Sequence, residues 1–453
     1  MLERKAIQQM ICWKEKSHGT EALLVEGARR VGKSFAVEAF AKREYETYIL
    51  IDFANLPKDV QSIFDEQKND LDTFFMLLST YYRTTLYERR SLIIFDEVQR
   101  YPAAREMVKY LVADRRYDYI ETGSLISIKK NVRGILIPSE ERKLEMGPLD
   151  FEEFCWAMNE KNLADLIRAS FKSLKPLPDA LHKRASRLWR EYLLVGGMPQ
   201  AVSKYLEHRD FGQVDYVKRS ILQLYSNDIG KFANGDAGRV RAIFSQIPGQ
   251  LSKHEKKFTL SSVSPNARFR DLDSAFFWLD DARIVNICSS STDPSVGLGL
   301  YEDSRSFKCY MADTGLLVSQ AFADRNETPN EIYKDILFDN LSINEGMLVE
   351  NAIAQQLRAN GHRLFFFSRY EKGNAPATME IDFLIVREYD NAAMKARICP
   401  IEVKSTKHYG TSSLDKFRKQ YGKRLGTEYV LHPKQIKVEG ERVSIPLYMS
   451  MCL

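Results

Sequence analysis

The chain has 453 residues, 44% of them apolar, 11% aromatic and 28% charged, with a formal net charge of +5. At roughly 150 residues per domain this length allows about three domains with their own cores, so a disulfide-stapled module and global disorder are both excluded. No run reaches the ~18 apolar residues of a membrane span, and the opening MLERK lacks a signal peptide's apolar core. The expectation is a cytoplasmic protein with no membrane partner.

From residue 21 to 147, short apolar runs at 22–25 (ALLV), 48–51 (YILI), 92–95 (LIIF) and 119–120 (YI) alternate with longer helical periods. Continuous apolar strands between helices predict a parallel α/β sheet buried on both faces. After the first run comes Gly27, Ala28, Arg29, Arg30, Val31, Gly32, Lys33 and Ser34, a complete GxxxxGK(S/T) phosphate loop between a strand and a helix. Its glycines let backbone N–H groups wrap phosphates at a helix N-terminus, Lys33 reaches the β and γ oxygens, and Ser34 ligates Mg²⁺. ATP and Mg²⁺ are the cofactors expected.

The third apolar run ends in Asp96 and Glu97. Asp96 would hold Mg²⁺ through water, and Glu97 would orient the attacking water. A binding-only protein does not need that second carboxylate, so the pair favours hydrolysis. The fourth run ends in the hydroxyls of Thr122 and Ser124, and Arg142 stands just before the next strand. This order resembles that of AAA+ ATPases, and the resemblance implies that Thr122 or Ser124 senses the γ-phosphate and that Arg142 is an arginine finger acting on a neighbouring subunit, hence a homo-oligomer.

Helical periods fill 148–212, read as a helical lid that ends at Gly196, Gly197, Met198 and Pro199. The segment 213–330 shows helices and then two strands, 282–288 and 307–311, an order that predicts a winged-helix-like domain with 271–281 in the recognition position. In 331–453 the predicted order is helix (344–360), strands (363–367, 380–386, 398–404), helix (412–423) and strand (428–431). Glu350 lies on the first helix, Asp382 on the second strand, and Glu402 with Lys404 on the third. Residues i and i+2 of a strand share a face, so Glu402 and Lys404 converge and Asp382 can join them.

Six cysteines lie singly without a CxxC pair and seven histidines are dispersed, so zinc chemistry is excluded and any metal is held by oxygen. Residues 239–270 carry seven Lys and Arg against one Glu, and 404–442 carry ten against four acids. Both are candidate anion-facing surfaces, with DNA as the partner in view, or solvated faces.

Residues 27–34, 95–102 (FDEVQRYP), 121–124 (ETGS), 148–154 (PLDFEEF), 192–199 (YLLVGGMP) and 311–317 (MADTGLL) together resemble prokaryotic AAA+-type ATPases that join a P-loop module to a C-terminal domain of unknown function. The likeness covers nearly the whole chain. One departure is that 196–199 replaces the lid arginine many AAA+ proteins carry. The ordered set Glu350, Asp382, Glu402 and Lys404 is similar to a PD-(D/E)xK nuclease core. That likeness implies Mg²⁺ held by Asp382 and Glu402, completed by Glu350, with Lys404 helping to activate water or steadying the developing phosphorane. Boundaries follow as 1–147, ATPase core; 148–212, lid; 213–330, winged helix; 331–453, nuclease-like domain. Two functions fit: nucleotide-controlled binding or cutting of nucleic acid, or a nucleotide-gated protein-interaction switch whose nuclease-like domain cuts nothing.

Overall fold

The structure is a computed structural model that describes residues 2–124, 140–233, 235–253, 256–263, 268–323, 328–337, 345–370, 378–388, 396–406 and 408–453. The chain divides into two compact units, Met1–Gly147 with Asp281–Arg283, and Pro148–Asp280 with Ile284–Leu453.

The first unit is built on a parallel sheet of β1 (Ala22–Glu26), β2 (Thr47–Asp52), β3 (Ser91–Asp96), β4 (Asp118–Gly123) and β5 (Glu141–Glu145), in the order β2-β3-β4-β1-β5. Helices cover it: α1 (Lys5–Ser17), α2 (Lys33–Glu44), α3 (Lys58–Glu66), α4 (Leu71–Tyr82) and α5 (Pro102–Asp114). Strand β3 shows why the interior runs are continuously apolar. Leu92 and Ile94 pack with Leu23, Val25, Val37 and Phe40, while Ile93 and Phe95 pack with Phe53, Phe64, Phe74 and Leu111. Neither face meets water, so no polar alternation survives. Strand β5 differs because it is an exposed edge, and its sequence ERKLE is mostly charged.

The second unit opens with helices α6 (Phe151–Ala157), α7 (Lys161–Ser173), α8 (Asp179–Val195), α9 (Pro199–His208), α10 (Phe211–Phe232), α11 (Ala237–Leu251) and α12 (Phe269–Asp281). Asp150 and Glu153 form a reciprocal capping box at the start of α6. There follow β6 (Val285–Ser291), β7 (Glu302–Met311), α13 (Thr314–Ala321), α14 (Asn330–Leu337), α15 (Glu345–Ala359), β8 (Phe365–Arg369), β9 (Met379–Arg387), β10 (Arg397–Val403), α16 (Ser412–Tyr421), β11 (Glu428–His432), β12 (Lys437–Glu439) and β13 (Arg442–Pro446). All eight strands share one sheet, ordered β12-β13-β11-β10-β9-β8-β6-β7.

Pairing and hydrogen bonds in the second unit run across two of the expected boundaries. The hairpin β6–β7, expected as the wing of a separate 213–330 domain, continues the C-terminal sheet through β6–β8 pairing of Ser289 with Phe365 and Ser290 with Phe366. The helices of 148–212, expected as a lid, belong to the second unit. There Phe151 N–H donates to Gln356 Oε1 (3.0 Å) and Gln356 donates to the Tyr192 hydroxyl (3.0 Å). The glycines at 196–197 have a packing role as well. A Cβ on Gly196, whose φ is +81°, would stand 2.3 Å from Asp313 Oδ1, and one on Gly197 would meet the Leu149 carbonyl. Gly197 N–H donates to Asp313 Oδ2 (2.5 Å) while Asp313 Oδ1 caps α13 at Leu316 (2.9 Å). Two of the motifs that carry the resemblance, at 192–199 and 311–317, therefore form one close backbone contact.

Candidate functional site

The phosphate loop runs from β1 to α2. Gly32 is the N-cap of α2 with φ 89°, a conformation glycine adopts without strain, and Arg30 is left-handed too at 69°. Gly27 admits no side chain because a Cβ would lie 2.1 Å from the Met146 carbonyl oxygen. Lys33 folds back into the loop, its ammonium donating to the carbonyls of Gly27 and Ala28 at 3.0 Å each. Burial pushes its pKa down to about 8, against the pull of Glu97 and Asp96. Among the described residues its hydrogen bonds go to those two carbonyls and to no carboxylate, a deficit that a phosphate would fill.

Ser34, Asp96 and Thr122 converge from α2, β3 and β4. Ser34 Oγ donates to Asp96 Oδ1 at 2.7 Å, and the Thr122 hydroxyl donates to the same oxygen. This oxygen-only group fits a hydrated Mg²⁺ held by Ser34 directly and Asp96 through water. Of the two expected sensors, Thr122 is joined to Asp96. Glu97 has φ 55°, and its carboxylate accepts from Gln99 Nε2 at 2.5 Å. Ala28, Arg29 and Val31 complete the loop, with Val31 wholly buried and its carbonyl accepting from Arg4 at 2.8 Å.

Arg142 lies inside β5 rather than before it, exposed and in register with Leu23. It is four residues short of Gly27 along the sheet, roughly 13 Å at the strand rise. Three features escaped the sequence reading. Gln99 holds Glu97. Arg283 faces Glu26 and Glu145 at 3.5 and 3.2 Å, beside the start of the loop. Beneath the strand ends, Arg105 pairs with Glu141 (2.7 Å) while burial, with Glu141 adding to it, pushes Glu121 up to about 8.

In the second unit Glu402 is joined to Lys404, and Glu350 and Asp382 both face Lys308, with further partners around them. Lys404, just past β10, donates to Glu402 Oε1 at 2.6 Å, and Val403 N–H donates to Asp382 Oδ2 at 2.8 Å. The additions are Lys308 and Tyr310 of β7, Lys256, and Glu380 of β9. Lys308 is 1% exposed, with its ammonium 3.2 Å from Glu350 Oε1, 2.9 Å from Glu380 Oε1 and 3.7 Å from Asp382 Oδ1. Lys256 and the Tyr310 hydroxyl donate to Glu350.

Electrostatics divides these acids. Burial opposes ionisation of Glu350, but Lys308 and Lys256 overcome it and hold its pKa at about 2. Burial raises Asp382 and, with Asp382 beside it, lifts Glu402 to about 7. Glu402 Oε2 is buried without a hydrogen-bond partner. Among the described residues no three His, Cys, Asp or Glu side chains are arranged to hold a metal ion.

Of the basic residues in 239–270, Arg239, Arg241, Lys253, Arg268 and Arg270 are exposed, whereas Lys256 is committed to Glu350. Arg239 and Arg270 have acidic neighbours, Asp236 at 3.0 Å and Asp271 at 3.7 Å.

Residues 19–155 match a family model described as an AAA domain. Residues 186–327 and 345–449 match two domains of unknown function, DUF8612 and DUF4143. No curated protein matches the chain. Similar solved structures include the Walker-type ATPase paby2304 of Pyrococcus abyssi, at 15% identity over 71% of this chain and 96% of that one, with a TM-score of 0.42. Others are the Aeropyrum pernix Orc1 protein in complex with DNA (10% identity, 72% and 93%, TM-score 0.26) and Cdc6p from Pyrobaculum aerophilum (12%, 76% and 96%, 0.26). The AAA match and the phosphate-loop geometry support a P-loop ATPase core in the first unit. Among the described residues no helix is long and apolar enough to cross a membrane.

Proposed function

We propose that the first unit hydrolyses ATP and that its nucleotide state controls the second unit's hold on nucleic acid. The observation that carries the hydrolytic reading is the convergence of Lys33, Ser34, Asp96, Thr122 and Glu97 at the ends of three adjacent strands. Lys33 turns from the Gly27 and Ala28 carbonyls to the β and γ oxygens. Glu97, released from Gln99, orients a water in line with the γ-phosphorus, whose bond to the ADP oxygen breaks as the water's oxygen bonds. Thr122 reports the γ-phosphate to Asp96 through their shared hydrogen bond. Ser34 directly and Asp96 through water would hold Mg²⁺, which would supply neutralisation of phosphate charge.

Arg142 serves a neighbouring copy in this reading. Its exposure on an edge strand, level with Leu23 and remote from its own loop, supports action in trans. In the second unit, the exposed Arg239, Arg241, Lys253, Arg268 and Arg270 supply a surface for phosphates.

A specific observation bears on the alternative, a nucleotide-gated protein-interaction switch: Lys308 neutralises Glu350 and Asp382, two of the three carboxylates that the nuclease resemblance assigns to Mg²⁺. The test of the ATPase reading is equilibrium binding of ATP by the full chain. Lys33→Ala should lose measurable affinity while Asp96→Asn should lose chiefly its Mg²⁺ dependence; unchanged affinity in Lys33→Ala would place the nucleotide elsewhere.

A further inference from the structure

A lysine in the middle of an apolar strand is costly unless every charge it brings is met. Lys308 sits between Phe307 and Cys309 on β7, both buried, and its stem passes Phe366, whose ring centre lies 5.1 Å from the ammonium. Three carboxylates meet it, Glu350 from α15 and Glu380 and Asp382 from β9, which share a face two residues apart. Two of these three, Asp382 and Glu350, belong to the set that the nuclease resemblance implies for Mg²⁺, in which Asp382 shares the ion with Glu402 and Glu350 completes it. Lys256 adds a second ammonium on Glu350, and Asp382 Oδ2 is committed to the Val403 N–H.

A divalent ion bound to Glu350 Oε1 or Asp382 Oδ1 at about 2.1 Å would share that oxygen with a buried ammonium. Like charges so close in a desolvated setting repel strongly. We infer that Lys308 is the resident cation of this carboxylate cluster, occupying the role of the metal, so that Glu350, Asp382 and Glu402 bind no divalent ion while Lys308 is in place. The cluster then fixes the joint between the β6–β7 hairpin, α15 and β9 without bound metal. Glu402 is met by its own lysine, since Lys404 donates to Oε1 at 2.6 Å, while Oε2 is buried without a hydrogen-bond partner. This inference does not rest on the ATPase reading, and loss of hydrolysis in the first unit would leave it standing.

The experiment is Mn²⁺ titration of the nucleotide-free full chain, with free Mn²⁺ counted by electron paramagnetic resonance. It compares the parent, Asp382→Asn, Lys308→Met and the double variant. The parent and Asp382→Asn should bind equal Mn²⁺. Lys308→Met should gain one bound ion per chain, at least about tenfold tighter than any site in the parent, and the double variant should lose it. Lys308→Arg, which keeps the cation, should behave as the parent. One Mn²⁺ in the parent that Asp382→Asn removes would overturn the inference whether or not Lys308→Met folds. A folded Lys308→Met that gains no ion would overturn it as well.

Discussion

Lys33 is expected to weaken the nucleotide-free fold that it equips for binding. Its pKa falls from 10.5 to about 8 on burial, and at 1.36 kcal/mol per unit the charged side chain costs the folded state about 3 kcal/mol at pH 7. Lys33→Met keeps the apolar stem and removes that cost. It also removes the bonds to the Gly27 and Ala28 carbonyls, roughly 1 kcal/mol each. The variant should therefore be about 1 kcal/mol more stable than the parent at pH 7. Between pH 8 and 10.5 the unfolded chain binds more protons at this lysine than the folded chain, so the parent's stability rises with pH while the variant's lacks that contribution. Near pH 10.5 the order should reverse, with the parent ahead by about 2 kcal/mol, the strength of the two bonds. The assay is amide exchange of peptides spanning β1 and α2 across urea series at several pH values. A stability difference that stays flat from pH 7 to 10.5 would refute the reasoning, because it would mean that Lys33 is not a desolvated ammonium.

Thr122→Val should lower ATP turnover about tenfold or more with little change in ATP affinity, and Ser124→Ala should have a smaller effect, read by steady-state hydrolysis and equilibrium binding. Adding excess Arg142→Ala subunits should depress the parent's turnover per subunit, and that turnover should rise with protein concentration; a flat rate with a fully active variant would retire the finger. DNA affinity should fall steeply with salt, and reversing the charges of Arg239, Arg241 and Arg268 should lower the log-log slope by about 0.9 for each phosphate that is no longer neutralised. No binding at low salt, or an unchanged slope, would favour the protein-interaction reading.

What the sequence disclosed depended on where each residue's partners lie. Strands β1, β3 and β4 were legible because burial on both faces leaves continuous apolar runs, whereas β5 was not, since an exposed edge tolerates the charges of ERKLE. That is why Arg142 was placed ahead of the strand that contains it. The two-residue period of strands put Glu402 and Lys404 on one face, although Lys404 lies just past β10, whereas Asp382 comes in from the neighbouring strand. Glu380 obeys the same period beside Asp382 and went unread.

The hairpin β6–β7 was recognisable locally, but its membership of the C-terminal sheet rests on β8, more than 70 residues away. Nothing in a hairpin's own pattern names its outer neighbour. Lys308 was missed for a related reason, as its partners come from α15 and β9. A usable signal did exist: a lysine flanked by Phe307 and Cys309 in an apolar strand requires buried acids somewhere. Gly196 and Gly197 were read as a departure at a lid. Their role is steric and appears only once Asp313 and Leu149 are seen against them.

The most direct measurement of the central claim is ATP turnover by Glu97→Gln under conditions where ATP binding is saturated. Glutamine keeps the size of the side chain and its reach to Gln99 but cannot take up the charge that orients and polarises water. The account predicts ATP bound with parental affinity and hydrolysis slowed at least about a hundredfold, with ATP rather than ADP recovered from the protein. Equal turnover in the parent and Glu97→Gln would contradict it, because the water would then be positioned by another group.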